Sequence, residues 1–330
     1  MKGVMKWIKR FCLLLALLLP FTTPALAKAP TDIGYGAVNA ASGVYSFCVA
    51  VAKAINKNAP DIRCTVIESG GGNANVELLR KKEVQMGLAA QATLSAAWEG
   101  KFGYEKPFPE LRTLWVSRTN LITIFVREDS GIKTFADLNG KRMGNLAGTS
   151  SERLMLQVDS VSDVNPGWQS LSASALISAT KNRQIVGFVK AGAPDSTVLQ
   201  VAASIPIRLI SVPEDVMERS FKKFGGQISK GVIPSGTYPG QDKDVLAFAM
   251  VITDASTSNM AEDVIYEAVK AVYAGRADIA ASYKPAVDFG DWPKNTIDKA
   301  YVPLHAGTVK FLKKDLKMTV PVHLIPPEAK

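Results

Sequence analysis

Histidine and cysteine, which most metal sites and many nucleophilic sites require, are scarce in this sequence. Its 330 residues include two histidines and three cysteines. No Cys-x-x-Cys, His-Glu-x-x-His or Gly-x-Ser-x-Gly motif occurs. A Walker loop and a Gly-x-Gly-x-x-Gly dinucleotide turn are also absent. We therefore predict a protein that is not an enzyme, that has no metal site and that uses no cofactor.

Apolar runs long enough to cross a membrane are also missing. The longest run, Phe11–Leu19, is shorter than the roughly 20 residues that a spanning helix needs. Four basic residues precede it, and Ala25-Leu26-Ala27 follows it as a small-residue cleavage signal. Residues 1–27 are therefore predicted to be a secretory signal peptide. We expect the remaining chain to be exported to the periplasm, with no membrane insertion after cleavage.

Charge of one sign is not concentrated in any segment. The net charge is +9, and the four basic residues of the predicted signal peptide leave +5 for the rest of the chain. Nucleic-acid-binding proteins carry clustered basic residues, often interleaved with aromatic ones, and no such cluster occurs here. We therefore expect a soluble monomer without a nucleic-acid partner.

Two cysteines, Cys48 and Cys64, remain after the predicted cleavage. In an oxidising compartment they could form a disulfide, which would stabilise the fold by roughly 3 kcal/mol through the chain entropy of the unfolded state. Two buried free thiols are the alternative. The sequence does not give the separation of the two Cα atoms, so both alternatives remain open at this point.

The hydrophobic pattern alternates between strands and helices. We predict strands at 32–36, 62–67, 86–89 and 111–116. Helices are predicted at 43–58 and 92–99, and a further helix begins after three consecutive glycines at 70–72. This alternation predicts an α/β protein with an open, mainly parallel sheet flanked by helices.

Two strands are predicted to connect two lobes, because about 300 residues exceed one usual hydrophobic core. The β-branched run at 120–127 would carry the chain into the second lobe, and a strand at 245–253 would return it. We therefore predict that residues 28–118 and 249–330 form lobe 1, that residues 119–248 form lobe 2, and that hinges lie near 117–121 and 244–248. In lobe 2, Ser150 or Ser151 is predicted to cap a helix.

Polar turns rich in glycine, serine, threonine and asparagine follow the predicted strands in both lobes. The most pronounced is Ser69-Gly-Gly-Gly-Asn-Ala-Asn75. Glycines let a ligand approach the backbone, and the N–H groups of a helix start attract polar or anionic groups. Ligands of open α/β sheets bind beyond the carboxyl ends of the strands, so two facing lobes would enclose a small solute. A turn that serves chain geometry alone is the alternative.

The order of these motifs resembles that of TAXI-type solute receptors, the periplasmic components of tripartite ATP-independent periplasmic (TRAP) transporters. The motifs that carry the resemblance span the mature chain: Gly43-Val-Tyr45, Ser69-Gly-Gly-Gly-Asn-Ala-Asn75, Ala136-Asp-Leu-Asn-Gly-Lys141, Gly148-Thr-Ser150, Ile233-Pro-Ser-Gly-Thr-Tyr238 and Pro303-Leu-His-Ala-Gly307. The resemblance implies a type II-like, two-lobed periplasmic binding fold with hinged lobes. It also implies TRAP permease subunits as partners.

The resemblance also implies a set of ligand contacts. Residues that match the family's pocket are Tyr45, Ser69, Asn75, Gln91, Thr149 and Ser150, with Phe188 as a wall and with Asn39 and Ser42 in a loop that is longer than usual. Gly71 and Asn73 of the glycine-rich turn complete the predicted site. Structural roles are the alternatives: Tyr45 and Phe188 as core aromatics, and Asn75 as a cap of its own helix.

These observations predict a periplasmic receptor that captures a small organic carboxylate or an amino acid by hinge closure and delivers it to a TRAP permease. Neutral donors from the turns would hold the ligand without a dedicated countercharge. The alternative is a periplasmic sensor that binds its ligand in the same fold and docks on a membrane receptor kinase.

Overall fold

The computed structural model describes residues 29–40, 42–224 and 228–330. The predicted signal peptide lies outside these residues. The chain then alternates as the sequence predicts, with bounds within two residues of those expected: β1 Thr31–Gly36, α1 Gly43–Asn58, β2 Ile62–Ile67, α2 Gly72–Arg80, β3 Met86–Ala90 and α3 Gln91–Glu99.

The fourth strand, β4, is one continuous strand of 17 residues, Leu111–Arg127. The sequence pattern had predicted two strands here, at 111–116 and 120–127. The chain stays extended between them because β10 (Val245–Thr257) pairs antiparallel with β4 as far as Leu121. The register of this pair shifts between Arg118 and Val116, so Ser117 forms a β-bulge.

The next part of the chain contains short strands and helices: β5 Arg142–Leu146, α4 Ser150–Asp159, β6 Gly167–Leu171, α5 Ala173–Lys181, β7 Gly187–Ala191, α6 Ser196–Ala202, β8 Ile207–Leu209, α7 Glu214–Phe224 and β9 Ile228–Ile233. Two 3-10 turns, Glu128–Ser130 and Ala136–Leu138, precede β5. The sequence analysis missed β6, which lies at the edge of the sheet with exposed or half-buried residues and so lacks an apolar pattern.

The C-terminal part is helical and packs against the long strands. It comprises α8 Glu262–Ala274, α9 Arg276–Ser282, a 3-10 segment Lys284–Asp291, α10 Trp292–Lys299, α11 Ala306–Lys314 and two further 3-10 turns, Val322–Leu324 and Pro327–Ala329. Trp292 connects these helices to β4, since its ring centroid lies 6.1 Å from that of Trp115 and 6.0 Å from that of Phe311. Burial of these large rings stabilises the attachment.

The strands form one mixed sheet in the order β2-β1-β3-β10-β4-β7-β5-β6, with β8 paired to β4 and β9 paired to β10. Pairing is parallel among β1, β2 and β3 and among β5, β6 and β7. The long strands β4 and β10 pair antiparallel with each other and with β7 and β3. The sheet is therefore parallel within each group of three and mixed overall, because its central strands run in opposite directions.

The middle of β4 is more accessible than its ends. Both ends of the strand are buried, whereas Thr119, Asn120 and Leu121 are half-buried. These three residues come after the part of β4 that lies level with β3, across the intervening strand β10. They come before the part of β4 that pairs with β7. They lie on the predicted hinge at 117–121. Thr31–Lys330 form one compact unit, and the lobe boundaries remain a prediction.

Cys48 and Cys64 are both buried and both free. Of the two alternatives that the sequence left open, the structure has the free thiols. Burial raises the pKa of each thiol to about 12, and the nearby Asp254 carboxylate adds to the shift at Cys48. Thiolates are the reactive form, so these thiols are inert at neutral pH.

Within the described residues, no helix is long and apolar enough to span a membrane. In the same part of the chain, no group of three or more histidine, cysteine or acidic side chains is arranged to hold a metal ion.

Candidate functional site

The glycine-rich turn after β2 brings the start of α2 against two other elements. Gly71 has a φ of 94°, a conformation that glycine adopts without strain, and it directs the chain into α2. A side chain at Gly72 would lie 3.1 Å from the Cα of Ala89 in β3 and 3.3 Å from Oγ of Ser150 in α4. The missing side chain therefore allows the start of α2 to pack closely on the end of β3 and on the start of α4.

Asn75 fastens this turn to the sheet. Its side chain is fully buried, and Nδ2 donates to the carbonyl oxygens of Ala37 and Leu88, both at 2.7 Å. Oδ1 accepts from Oγ of Ser69 at 2.7 Å, and the same hydroxyl accepts from the N–H of Gly71 at 3.0 Å. Ser69 and Asn75, both predicted to contact the ligand, thus hold the turn itself in place.

Polar side chains at the starts of three helices meet beyond the carboxyl ends of β3 and β5. Nδ2 of Asn73 in α2 donates to the carbonyl oxygen of Gly148 at 3.2 Å. Thr93 in α3 joins both partners, since its Oγ1 donates to Oδ1 of Asn73 at 3.3 Å and lies 3.1 Å from Oγ of Ser150. Asn73 and Ser150, predicted from separate motifs 77 residues apart, therefore belong to one cluster.

Thr149 caps α4, although the sequence analysis named Ser150 or Ser151 as the cap. Its Oγ1 accepts from the N–H of Glu152 at 3.4 Å, and the carboxylate of Glu152 accepts from the N–H of Gly148 at 2.8 Å. Ser150 is the first residue of the helix and stays half-buried beside Thr93. The start of α4 therefore presents a serine hydroxyl in the first turn of a helix, where polar and anionic groups are favoured.

A cavity of about 420 Å³ adjoins this cluster. Two predicted contact residues line it, together with the 102–103 turn and one face of α4: Asn73, Phe102, Gly103, Thr149, Glu152, Arg153, Leu156 and Gln157. Gln157 is 2 % exposed, and neither end of its amide has a hydrogen-bond partner among the described residues. Gln157 was not predicted from the sequence. It lies eight residues after Thr149, which is about two helical turns and places it on the same side of α4.

A second cavity of about 420 Å³ lies beside Phe108 and Asn259. Its remaining lining residues include Arg80, Lys82 and Glu110. None of the predicted contact residues lines this cavity, so we place the candidate site at the cluster and not here.

The predicted residues before α1 lie at the carboxyl end of β1. Oγ of Ser42 caps α1 by accepting from the N–H of Val44 at 3.3 Å, and the carbonyl oxygen of the exposed Asn39 accepts from the N–H of Ser42. Tyr45 is half-buried and packs against the main core. These residues occupy the edge of the sheet at which ligands of open α/β folds bind.

Gln91 and Phe188 make internal contacts. Gln91 is fully buried, its Nε2 donates to the carbonyl oxygen of Lys299 at 2.5 Å, and its Oε1 accepts from the N–H of Tyr301 at 3.0 Å. Phe188 is fully buried and packs edge-to-face on Phe125, with ring centroids 4.4 Å apart. The structure therefore favours the core alternative for Phe188, and it gives Gln91 the role of attaching the C-terminal segment.

A buried polar cluster on β1, β4 and β10 was not predicted. The hydroxyls of Tyr35 and Ser117 donate to the two carboxylate oxygens of Asp254, which is fully buried. Burial raises the pKa of Asp254 to about 6, against the effect of these two donors and of the Arg118 charge. The signal in the sequence was a charged residue in the middle of each of two apolar strands, Arg118 in β4 and Asp254 in β10.

His305 has a structural role at the start of α11. Its Nδ1 caps α11 by accepting from the N–H of Gly307 at 3.1 Å, and its Nε2 lies 3.1 Å from the carbonyl oxygen of Met260. Burial lowers the pKa of this imidazole, which matches the neutral form that can accept at Nδ1.

The sequence matches the NMT1-like family over residues 37–315. This chain belongs to the NMT1-like family. The match includes every element from the loop before α1 to the end of α11, and it therefore contains all of the predicted contact residues.

Two solved structures share the fold of this NMT1-like protein. The alkanesulfonate-binding protein SsuA from Xanthomonas axonopodis pv. citri, bound to MOPS, has a TM-score of 0.50 and 17% sequence identity, over 91% of this chain and 96% of that chain. MatC (Rpa3494) from Rhodopseudomonas palustris with bound malate has a TM-score of 0.50 and 9% identity, over 78% of this chain and 88% of that chain. The α/β binding-protein fold predicted from the sequence is thereby confirmed. The family match and the binding protein among these structures agree with the prediction of a protein that is not an enzyme.

Proposed function

We propose that this NMT1-like protein is a periplasmic solute-binding receptor of the TAXI type. It captures a small organic carboxylate or an amino acid between lobe 1 (residues 28–118 and 249–330) and lobe 2 (residues 119–248), and it delivers this ligand to a TRAP permease. The N-terminal charge and hydrophobicity pattern supports export to the periplasm. The order of the motifs along the chain supports the TAXI subtype.

One observation carries this proposal: polar turns from the two proposed lobes meet beside a cavity. Asn73 and Thr93 of lobe 1 contact Gly148 and Ser150 of lobe 2, and the adjoining cavity measures about 420 Å³. Pockets for small ligands span roughly 300–1,000 Å³. Rotation about the proposed hinge strands would separate these turns and expose their donors to an incoming solute, and closure would bury it.

The ligand class follows from the donors and from the two proteins of similar fold. The hydroxyl of Ser150 in the first turn of α4 and the side-chain amide of Asn73 beside it provide donors, and the start of a helix favours an anionic guest. The related structures hold malate and MOPS, which are both small organic anions. Each hydrogen bond to a charged group stabilises a complex by roughly 1.5–3 kcal/mol, so a few of them support micromolar binding after the entropic cost of association.

The first test is native mass spectrometry of freshly purified protein, followed by thermal shift against dicarboxylates, keto acids and amino acids. We expect either a co-purified small acid or a saturable stabilisation that follows RT ln(1 + [L]/Kd). Absence of a bound mass, together with an unchanged melting temperature across the panel, would contradict the proposed ligand class.

Asn73→Ala tests the position of the site. Loss of this side-chain amide removes about 1 kcal/mol of hydrogen bonding, so we expect the Kd of the bound acid to rise about fivefold in isothermal titration calorimetry. Asn58→Ala is the matched control, because Nδ2 of Asn58 donates to the carbonyl oxygens of Ala54 and Ala271 at the other end of α1. An unchanged Kd in Asn73→Ala would remove Asn73 from the site.

A further inference from the structure

Arg118 lies where the two halves of the sheet meet. It pairs with Ile252 of β10, which pairs on its other side with Ala90, the last residue of β3. Four residues further along β4, Ile122 pairs with Ala191, the last residue of β7. Arg118 therefore lies level with the carboxyl end of the parallel strands β1, β2 and β3. It is also only four residues from the position on β4 that lies level with the carboxyl end of β7 in the other parallel group. This is the edge at which open α/β sheets bind ligands.

The guanidinium of Arg118 is buried without a full set of acceptors. The residue is 3 % exposed, and Nε and Nη1 have no hydrogen-bond partner among the described residues. Asp254 lies close enough to interact with its charge, but both oxygens of that carboxylate accept from Tyr35 and Ser117. A buried charged donor without an acceptor is costly, so this position calls for an anionic partner.

Another buried arginine on the same strand has a carboxylate partner for its guanidinium group. Arg112 is 7 % exposed, and its Nε and Nη2 donate to the two carboxylate oxygens of Glu328 at 2.6 and 2.9 Å. This two-point pairing is the strong geometry for a guanidinium and a carboxylate. Arg118 has the burial of Arg112 without such a bidentate carboxylate.

Two aromatic rings hold the Arg118 side chain in place. Its guanidinium carbon lies 5.0 Å from the ring centroid of Phe47 and 5.2 Å from that of Tyr283. Phe47 follows the predicted contact Tyr45 by two residues in α1. Burial raises the pKa of Tyr283, Arg118 opposes this shift, and Asp195 beyond the end of β7 contributes to it. The ring is therefore within electrostatic reach of both halves, and cation–π contacts fix the arginine without using its N–H donors.

We propose that Arg118 is the countercharge that makes this site select a ligand carboxylate. The inference rests on the proposed function and replaces the expectation that neutral donors suffice. Opening of the crevice exposes the guanidinium, the ligand carboxylate accepts from its unpartnered N–H groups, and closure buries the pair. The residues that follow it, Thr119–Leu121, are half-buried, whereas the rest of β4 is buried.

The test compares Arg118→Gln with Arg112→Gln. Binding of succinate, malate, 2-oxoglutarate and glutamate, and of succinamide and malamide as neutral analogues, is measured by calorimetry. We expect Arg118→Gln to weaken acid binding about 10- to 100-fold, as loss of a charged hydrogen-bonding partner does, and to leave binding of the amides within about twofold. Arg112→Gln should lower the melting temperature and leave the Kd of the acid unchanged.

Arg118→Lys and a direct spectroscopic readout cover the case in which Arg118→Gln does not fold. The lysine variant retains the charge and should bind the acid with intermediate affinity. In wild-type protein labelled with ¹⁵N-arginine, the Nε–H resonance that is lost in Arg118→Lys should shift on addition of the bound acid and stay unchanged with succinamide.

Each outcome separates the two proposals. Acid binding by wild type with an unchanged Kd in Arg118→Gln, or with an unshifted Nε–H resonance, overturns the role of Arg118 and leaves the receptor function standing. Equal binding of acids and amides by wild type does the same. If wild type binds neither acids nor amides, the proposed function fails, and the inference that rests on it fails as well.

Discussion

Asn75 shows how one polar side chain can hold the framework of a candidate site in place. The residue is fully buried, and its amide joins the ends of β1 and β3 through Ala37 and Leu88. Its neighbourhood leaves no spare room, since a side chain at Gly36 would lie 2.5 Å from Oδ1 of Asn75. We infer that Asn75 positions the glycine-rich turn, whereas Asn73, two residues earlier, faces the cluster.

The Asn75→Ala variant should therefore be less stable than the wild-type protein, in addition to any loss of ligand binding. Three hydrogen bonds of the Asn75 amide, to Ala37, Leu88 and Ser69, would be lost, and each is worth about 0.5–1.5 kcal/mol. We expect the free energy of unfolding, measured by urea titration, to fall by about 3 kcal/mol. The half-buried Asn73→Ala is the control and should lose less than about 1 kcal/mol. Equal stability of the two variants would contradict the positioning role.

At the scale of elements, the pairing of β4 with β10 organises the buried cluster. The bulge at Ser117 brings its hydroxyl to Asp254 on the neighbouring strand, and Tyr35 reaches the same carboxylate from β1. Three strands thus share one acid whose pKa burial raises to about 6 from an ordinary value of 3.8. The folded state holds this proton more tightly than the unfolded state does.

Asp254 should consequently make stability depend on pH. Because its folded pKa is raised, its contribution is fully present below about pH 4 and is lost as the pH rises through about 6. A shift of this size corresponds to about 3 kcal/mol. We expect Asp254→Asn to gain about this much stability relative to wild type between pH 4 and pH 7 in urea titrations.

An exposed carboxylate provides the control with the opposite sign. The hydrogen bond from Arg63 lowers the pKa of Asp32, so any contribution from Asp32 is lost as the pH falls. Asp32→Asn should show no gain over wild type as the pH rises from 4 to 7. A flat difference between Asp254→Asn and wild type over this range would show that the Asp254 carboxyl titrates at its ordinary pKa.

At the scale of the whole molecule, contacts between the two proposed lobes decide whether the site can open. The hydroxyl oxygens of Thr93 and Ser150 lie 3.1 Å apart across the proposed crevice. Cysteines at these positions would bring their sulfur atoms close to the roughly 2 Å length of a disulfide bond. The native thiols Cys48 and Cys64 would not compete, because both are buried and inert.

The double variant Thr93→Cys/Ser150→Cys should lock the receptor when oxidised. If binding requires opening, we expect ligand association to slow by at least about 100-fold in stopped-flow measurements, and a reductant should restore it. Each single variant under the same oxidant is the control and should bind at its reduced rate. Fast binding by the fully oxidised double variant would show that the ligand enters without separation of these turns.

The sequence by itself determined the local structure and the kind of protein. Periodicity placed the strands and helices from β1 to α3 within two residues, because apolar spacing and glycine turns act locally. The order of the motifs indicated the α/β binding-protein fold, which the similarity to SsuA confirms. Asn73, Thr149 and Ser150 were recognisable because they lie on turns at strand ends.

Only the tertiary structure decided which polar side chains line the candidate site and which hold the framework. Asn75 and Gln91 carry the same amide as Asn73, yet both are buried in internal hydrogen bonds. Arg118 lies inside an apolar strand, and its partners Phe47, Asp254 and Tyr283 are distant in sequence. Residue type and local spacing cannot encode such distant contacts. The contacts of a side chain on a strand depend on which strands pair beside it. Here the pairing of β4 with β10 determines the contacts of Arg118.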